Sequence, residues 1–456
     1  MTWLAAPRPL SRRQFLRSTA AAGGALAAVS LGGSALASPR RAPAYVPDFQ
    51  ASTLEVWLDK WGPDETWLQL WGEVKEKTGI TVKETVIPFS DLEAKALTSL
   101  AGGVAPDIIF NHPIFTATWA TKGVAMPLDG FLARSNSTIN VNNLNDFFPG
   151  ALDYQRWNGQ IWGLPMDFEA TLYYYNKSMV EAAGLQDPGA MWKADHNAWN
   201  LDVFREYATR LSSGNADSAI FGASEIAKSM RVQAPFLWGY GGDMFSPDYS
   251  ETVINSPGSL QGWSFLADHV RLGWSPSVAG RDQPYIGTMT PLFNASRLAF
   301  IYNIRGYLSN LKQDLNIGMV PTPTMPNGLQ ITRCAPDSFA ITTKAKDPDA
   351  AWAVLQIMIE RGSELLMLAK AASPNRLSLL RSDSWTKALA PWEDNEMYQF
   401  ATTTARAVPL PPNFNEMDGI AEAAYDQIVL RQTTEADAMN GAKAQIDPIL
   451  AEVLPH

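Results

Sequence analysis

The sequence predicts an α/β protein built on parallel sheet and divided into at least two lobes. Three observations carry this. A chain of 456 residues exceeds what one hydrophobic core usually supports. Its apolar share of 46% and charged share of 18% are those of a folded globular protein. Beyond residue 52, short β-type runs alternate with helical stretches, which is the βαβ pattern of a parallel sheet.

The chain begins with an address. Ser11-Arg12-Arg13-Gln14-Phe15-Leu16-Arg17 is a twin-arginine pattern, and a weakly apolar run rich in Ala and Gly follows from Ser18 to Ala37. That run ends Ala35-Leu36-Ala37, the small-x-small spacing of a signal peptidase site, and its glycines make it a poor membrane-spanning helix. Residues 1–37 are therefore expected to be a twin-arginine export signal, and the mature protein to work in a periplasm or outside the cell. Residues 38–52 read as a proline-rich linker. Cys334 is the only cysteine, so no intramolecular disulfide is expected, and no cysteine follows the signal to take a lipid.

Thr53 to Asp59 is a β-type run, Pro63 opens a helix that reaches Thr78 and stops at Gly79, and Ile80 to Ile87 is a second strand. Ser90 with Glu93 forms a capping box before the periodic Leu92, Ala96, Leu97 and Leu100, and Gly102-Gly103 ends that helix. Pro106 to Phe110 is a short apolar strand. Ligands of open α/β sheets bind at the carboxyl ends of strands, which marks Asp59 to Trp61 and Asn111-His112-Pro113. Gly159 to Lys177 is a strand-like run rich in aromatics. Asn200 caps a helix from Leu201 to Leu211, and Asp347-Pro348 opens another from Ala350 to Arg361, closed by Gly362.

Charge narrows the function. Lys and Arg total 36 against 46 acids, and removing the first 37 residues leaves 32 bases, a net −14. So acidic a chain lacks the basic face that nucleic acid requires, and neutral or cationic ligands suit it best. The four histidines, His112, His196, His269 and His456, lack metal-ligand spacing. There is no G-x-S-x-G elbow, phosphate loop or dinucleotide loop; Gly239-Tyr240-Gly241-Gly242-Asp243 does not fit one. No metal, cofactor or catalytic apparatus is expected. Tryptophan is abundant, with 16 copies. Most aromatics fill cores, but Trp57, Trp61, Trp162, Trp238 and Trp274 stand beside turns and strand ends. Aromatic plates with Asp, Glu, Asn and Arg are what the faces and hydroxyl rims of sugars require.

Ile161 to Leu185 (IWGLPMDFEATLYYYNKSMVEAAGL) resembles the hinge-crossing strand of the extracellular solute-binding proteins of family 1, the maltose-binding-like carbohydrate receptors of ATP-binding-cassette (ABC) importers. Four further segments are similar to that family in the same order: Ala105 to Phe110, Asn294 to Arg305, Ile317 to Pro323 and Lys346 to Trp352. The likeness spans about residues 53–450. It implies a two-lobed periplasmic-binding-protein type II fold with hinge-connecting strands and an interlobe ligand cleft. One lobe is expected at 53–164 plus 292–335 and the other at 170–288 plus 340–450, with crossings at 165–169 and 336–339. The chain departs from the family at Asn303-Ile304-Arg305-Gly306-Tyr307 and at Ala198-Trp199-Asn200-Leu201, and it lacks the lipidated cysteine of many relatives.

The resemblance also implies a site. Glu169 stands where the family holds an acidic sugar ligand, with Asp167 beside it, and Trp238 with Asp243 resembles the family's cleft loop in the second lobe. Asn111 and His112 end a buried strand and are expected to face the cleft. Arg305 and Tyr307 stand at the altered turn, where Arg305 is a candidate bidentate clamp. Asp337 and Arg376 complete the set. The expected function is capture of a mono- or oligosaccharide by hinge closure and its delivery to the permease subunits, by a monomer that binds no nucleic acid. The alternatives are a receptor for a polyamine, peptide or glycerol phosphate ester, and a glycoside hydrolase. Asp167 and Glu169 argue against the hydrolase, because alternate residues of one strand point the same way and cannot flank a bond.

Overall fold

The computed structural model describes residues 49, 51–214, 218–277, 285–312 and 314–453. The expected signal at 1–37 and most of the linker at 38–52 lie outside these.

Strand β1 (Thr53–Leu58) is followed by helix α1 (Asp64–Thr78), which buries Trp67, Leu70 and Val74. Gly79 ends it in the left-handed region at φ 74°, its N–H reaching the Lys75 carbonyl. Strand β2 (Thr81–Val86) pairs with β1 in parallel register, Thr53 opposite Thr81. Helix α2 (Phe89–Ala101) lacks the expected capping box. It starts at Phe89 behind Pro88, whose restricted φ directs the chain into the helix, and the Ser90 hydroxyl donates to Asp91 Oδ1 at 3.1 Å. Strand β3 (Ile108–Phe110), buried throughout, pairs in parallel with β1 and leads into α3 (Pro113–Lys122).

The run expected from 159 to 177 as a strand is broken. Strands β4 (Arg156–Trp157) and β5 (Gln160–Ile161) form a hairpin, β6 (Leu164–Pro165) is two residues long, and β7 (Leu172–Asn176) resumes after a gap. Asn158 at φ 49° and Gly159 at φ 79° make the tight left-handed turn that matches strand twist. The gap arises because residues 166–171 pass from one sheet to the other.

Next come α4 (Leu201–Arg210), β8 (Phe221–Ala223), α5 (Met230–Gly239), α6 (Pro257–Arg271), β9 (Leu298–Asn303) and β10 (Ile317–Val320). Asn200 caps α4, its Oδ1 accepting from the N–H of Asp202 and Val203. Strands β11 (Thr332–Arg333) and β12 (Ser338–Ile341) precede α7 (Pro348–Ile357), and β13 (Ala405–Arg406) precedes α8 (Phe414–Val429) and α9 (Glu435–Val453). Helix α7 does not close at Gly362. It runs through a wide π-type turn, Met358–Gly362, into a further helix, Ser363–Leu368. A Cβ on Gly362 would stand 2.3 Å from Met166 Cε, so the bare backbone there admits the crossing strand.

Two sheets organise these elements, a five-stranded one ordered β2-β1-β3-β12-β6 and a four-stranded one ordered β10-β7-β9-β8. This ordering corrects the expected partition. Residues 292–335, expected with the first lobe, supply β9 and β10, which flank β7 in the second sheet, Leu172 facing Asn303 and Tyr175 facing Gly318. A strand buried along its whole length needs hydrogen-bond partners on both edges, and these two strands supply them. Conversely, β12 lies between β3 and β6 in the first sheet, and the helix that follows it packs there too, Trp352 stacking on Phe131 at 5.4 Å.

Gly222 on β8 tests how tightly the second sheet seats α4, since a Cβ there would stand 1.9 Å from the Ala208 carbonyl oxygen. Gly222→Ala is expected to lower stability by at least about 2 kcal/mol in urea unfolding, as overpacking against backbone does. Gly419→Ala, where nothing lies within 4 Å, is expected to be neutral or mildly stabilising.

Candidate functional site

The chain crosses between the sheets twice, and the two crossings lie side by side. Met166 N donates to the Asp337 carbonyl at 2.7 Å, Ala335 N to the Glu169 carbonyl at 2.9 Å, and Ala170 bridges Cys334. Three expected site residues lie on this pair. Asp167 is buried, and its Oδ1 accepts from Asp337 N at 2.6 Å. Glu169 is buried with both oxygens engaged: Oε1 accepts from Ser373 N at 2.8 Å, and Oε2 from Arg305 N at 2.9 Å and Gly306 N at 3.4 Å. Asp337 has no ion pair or side-chain hydrogen bond among the described residues. Burial raises all three carboxyls. Glu169 rises to about 7 against its backbone donors. Asp337 also reaches about 7, with Glu169 and Asp59 adding to the burial, and Asp167 rises with Asp337 and Glu169 as neighbours.

The carboxyl ends of β1 and β3 lead to the same place. Asp59, just past β1, is raised by burial and lies within electrostatic reach of Asp337. Asn111 is fully buried, its Nδ2 donating to Thr116 Oγ1 at 3.1 Å and Gln155 Oε1 at 2.9 Å, so it holds the strand end to its surroundings. His112 caps α3, Nδ1 accepting from Ile114 N at 3.3 Å, while its ring packs edgewise on Phe89. Burial, reinforced by Arg231 and Arg333, pushes its pKa well below the ordinary imidazole range, so the ring is neutral.

Arg231 and Arg333 are the two residues that sequence reading missed. Arg333, on β11, is 7% exposed and forms no side-chain hydrogen bond or ion pair with any described residue. Its Nε is buried without an acceptor. Burial and the neighbouring Arg231 lower it to about 10. Arg231, in the first turn of α5, likewise has no ion pair among the described residues, and it lies within reach of His112 and Asp337. An arginine inside the apolar run before the second crossing was the available signal for Arg333. Arg231 left none.

The remaining expected residues are engaged elsewhere. Trp238 Nε1 donates to Asp243 Oδ1 at 2.9 Å, and Arg406 closes the group, its guanidinium 4.4 Å from the indole centre and 2.9 Å from Asp243 Oδ2. The Arg305 fork is filled by Glu393, Nε to Oε1 at 2.7 Å and Nη2 to Oε2 at 3.3 Å, with Nη1 on the Ala372 carbonyl at 2.7 Å. It is therefore not free to clamp hydroxyls. The Tyr307 hydroxyl bonds Thr290. Arg376 donates to the Glu360 carbonyl at 3.4 Å. Of the five tryptophans singled out, Trp57, Trp162, Trp238 and Trp274 give their indole N–H to protein acceptors. Trp61 Nε1 has no acceptor among the described residues, and its ring packs on Phe110 and Phe339 beside the end of β1.

Asp59, His112, Asp167, Glu169, Arg231, Arg333 and Asp337 thus converge where strand ends of the first sheet meet the crossings. The group holds buried acceptors and buried donors together and no nucleophile paired with a base, an arrangement suited to binding a polar solute.

The family model of the bacterial extracellular solute-binding proteins matches residues 60–363. A putative binding protein of Brucella abortus is 22% identical over 82% of this chain and 87% of its own. The galactooligosaccharide-binding protein of Bacillus subtilis is 22% identical over 91% of this chain and 93% of its own. Among solved structures, an ABC substrate-binding protein of Listeria monocytogenes in complex with cycloalternan superposes with a TM-score of 0.75 at 18% identity, covering 88% of this chain and 99% of that one. That likeness establishes the fold, two lobes joined by crossing strands.

The raised carboxyls set a pH dependence. The folded protein holds protons on Asp337 and Glu169 up to about pH 7, whereas the unfolded chain releases them near 4, so the native state binds more protons in between. Stability of the ligand-free protein is expected to fall as pH rises from 4.5 to 7 and to level off above. Asp337→Asn should flatten that slope and raise the melting temperature at pH 7.5 by a few degrees, read by calorimetry. An unchanged slope would show that the carboxyls titrate normally.

Proposed function

Because this chain belongs to the bacterial extracellular solute-binding proteins, we propose that it captures a carbohydrate and hands it to the membrane subunits of an ABC importer. The observation that carries the sugar assignment is the convergence of Asp59, Asp337, Arg231, Arg333 and His112 at the strand ends, beside the half-buried Trp61. A pyranose presents apolar C–H faces and a rim of hydroxyls, each both donor and acceptor. Carboxyl oxygens accept hydrogen bonds from the hydroxyls, guanidiniums donate to the hydroxyl oxygens, and a neutral imidazole does either. Similar proteins point the same way, with a galactooligosaccharide and cycloalternan among their ligands.

The lobes proposed are 53–165 with 338–368, and 172–332 with 414–453, joined by residues 166–171 and 333–337. Residues 369–413 lie against both. Capture proceeds by closure: a ligand that touches both sides favours the closed arrangement only by the difference between its affinities for the two states. The protein serves as a receptor, not a catalyst, and works as a monomer outside the cytoplasm after export by the twin-arginine route.

One observation favours a second reading. Arg333 is a buried cation without a partner among the described residues, with Arg231 near it, and a phosphate or carboxylate would satisfy both. A glycerol phosphate ester is therefore the rival ligand.

The experiment is a thermal-shift panel of mono-, di- and trisaccharides, alditols, glycerol phosphates and polyamines. A ligand present at a thousandfold its Kd adds about 4 kcal/mol, and one class of sugar is expected to raise the midpoint by several degrees. His112→Ala and Asp337→Asn should then weaken that sugar by about tenfold or more, close to 1.4 kcal/mol, in titration calorimetry. A shift with glycerol phosphate alone would replace the sugar reading with its rival.

A further inference from the structure

A cavity apart from the cargo group lies beside the Arg305–Glu393 ion pair and encloses about 230 Å³. On one side are the short 3-10 helix Arg305–Asn310, between β9 and β10 of the second sheet, and the first residue of β10. On the other are residues 369 and 370, just past the helix Ser363–Leu368, and residues 390, 392 and 393. Neither His112, Asp337, Arg231 nor Arg333 lines it.

Its charge is opposite to that of the chain. The lining carries Arg305, Lys312 and Lys370 against Glu393, a net of +2, in a protein whose net is −14 beyond residue 37. Arg305 and Glu393 spend their charge on each other, Nε to Oε1 at 2.7 Å, with both side chains buried. The two lysines are the surplus. Neither forms an ion pair or a side-chain hydrogen bond with any described residue. Lys312 is held through its backbone, its N–H donating to Asn294 Oδ1 at 2.9 Å.

Lys370 is placed at a conformational cost. Where the helix Ser363–Leu368 ends, Lys370 N donates to the Met367 carbonyl at 3.0 Å and Ala371 N to the Leu366 carbonyl at 2.9 Å. That pair of bonds requires a left-handed residue, ordinarily glycine, and Lys370 occupies the position at φ 60°. A cation elsewhere in the last turn would serve the helix dipole without the strain. Strained backbone persists where its surroundings over-determine it, and it gathers at binding sites.

Most of the remaining lining is apolar. Leu308, Leu311 and Ile317 supply aliphatic surface, and Trp392 an indole plate whose ring stands edge-on to Tyr174 at 6.1 Å. Apolar surface beside two unpaired cations suits a molecule with an apolar body and an anionic head.

We infer that this cavity binds a small organic anion, its body against Trp392, Leu308 and Ile317 and its carboxylate or phosphate taken by Lys312 and Lys370. This is a second ligand, separate from the cargo, and the inference stands whatever the cargo is.

The test is titration calorimetry of the cargo-free protein with phenyl phosphate and benzoate, which separate the two head groups, and with inorganic phosphate and benzylamine. The wild type is expected to bind one of the aromatic anions at least about tenfold more tightly than inorganic phosphate or benzylamine. Lys312→Gln and Lys370→Gly should each weaken that anion by about fivefold or more. Lys370→Gly should also keep or raise the melting temperature, because glycine relieves the left-handed strain. Trp392→Leu should weaken the anion by a similar factor. Unchanged affinity in both lysine variants places the anion elsewhere and overturns the site. So does benzylamine binding as tightly as the anions, or no binding of either anion at millimolar concentration.

Discussion

Glu169 stands where the chain leaves the first sheet for the second, and its carboxylate gathers the backbone N–H groups of Arg305, Gly306 and Ser373. Those donors come from the segment after β9 and from the turn before residue 377, so one side chain ties three distant parts of the chain at the crossing. Arg305 extends the knot through its fork to Glu393 and its bond to the Ala372 carbonyl. The hydrogen bonds of Glu169 and Arg305 are filled in this way, which offsets the cost of burying both groups. The two crossing strands keep their register because of it, and the cleft keeps its shape because the crossings do.

Much of this was legible in the sequence. The first βαβα run, the strand ends at Asp59 and Asn111 and the N-cap at Asn200 follow from periodicity and capping chemistry, and the acidic residues of the first crossing from the resemblance of Ile161 to Leu185 to the solute-binding family. The partition into lobes was not. Strands β9 and β10 carry the same alternation and apolar character whichever sheet they join, and only the two-edged demand of the buried Tyr173-Tyr174-Tyr175 run decides it. The capping box at Ser90 failed because a proline two residues earlier started the helix first. Side-chain engagement was equally hidden. Arg305 looked available because Glu393, its partner, lies 88 residues away.

Charge shows the same gap between a whole chain and a place within it. A net of −14 beyond residue 37 describes the solvent-facing average and sets long-range steering. The cluster at the crossings is a different environment, where burial raises carboxyls toward neutrality and leaves two guanidiniums without ion pairs among the described residues. Affinity is decided there, at distances too short for the average to matter.

The strand order also governs the sequence of synthesis. Strand β6 is made early, yet its only neighbour in the first sheet is β12, at residues 338–341. The second sheet waits for β10, at residues 317–320. The second sheet cannot be completed before residue 320 has emerged, nor the first before residue 341, so neither half can mature alone on the ribosome. Pairings between such remote segments slow folding, because loop closure precedes the contacts that reward it. The growing chain therefore exposes unfinished sheet edges for most of its synthesis, and its assembly is a single late event.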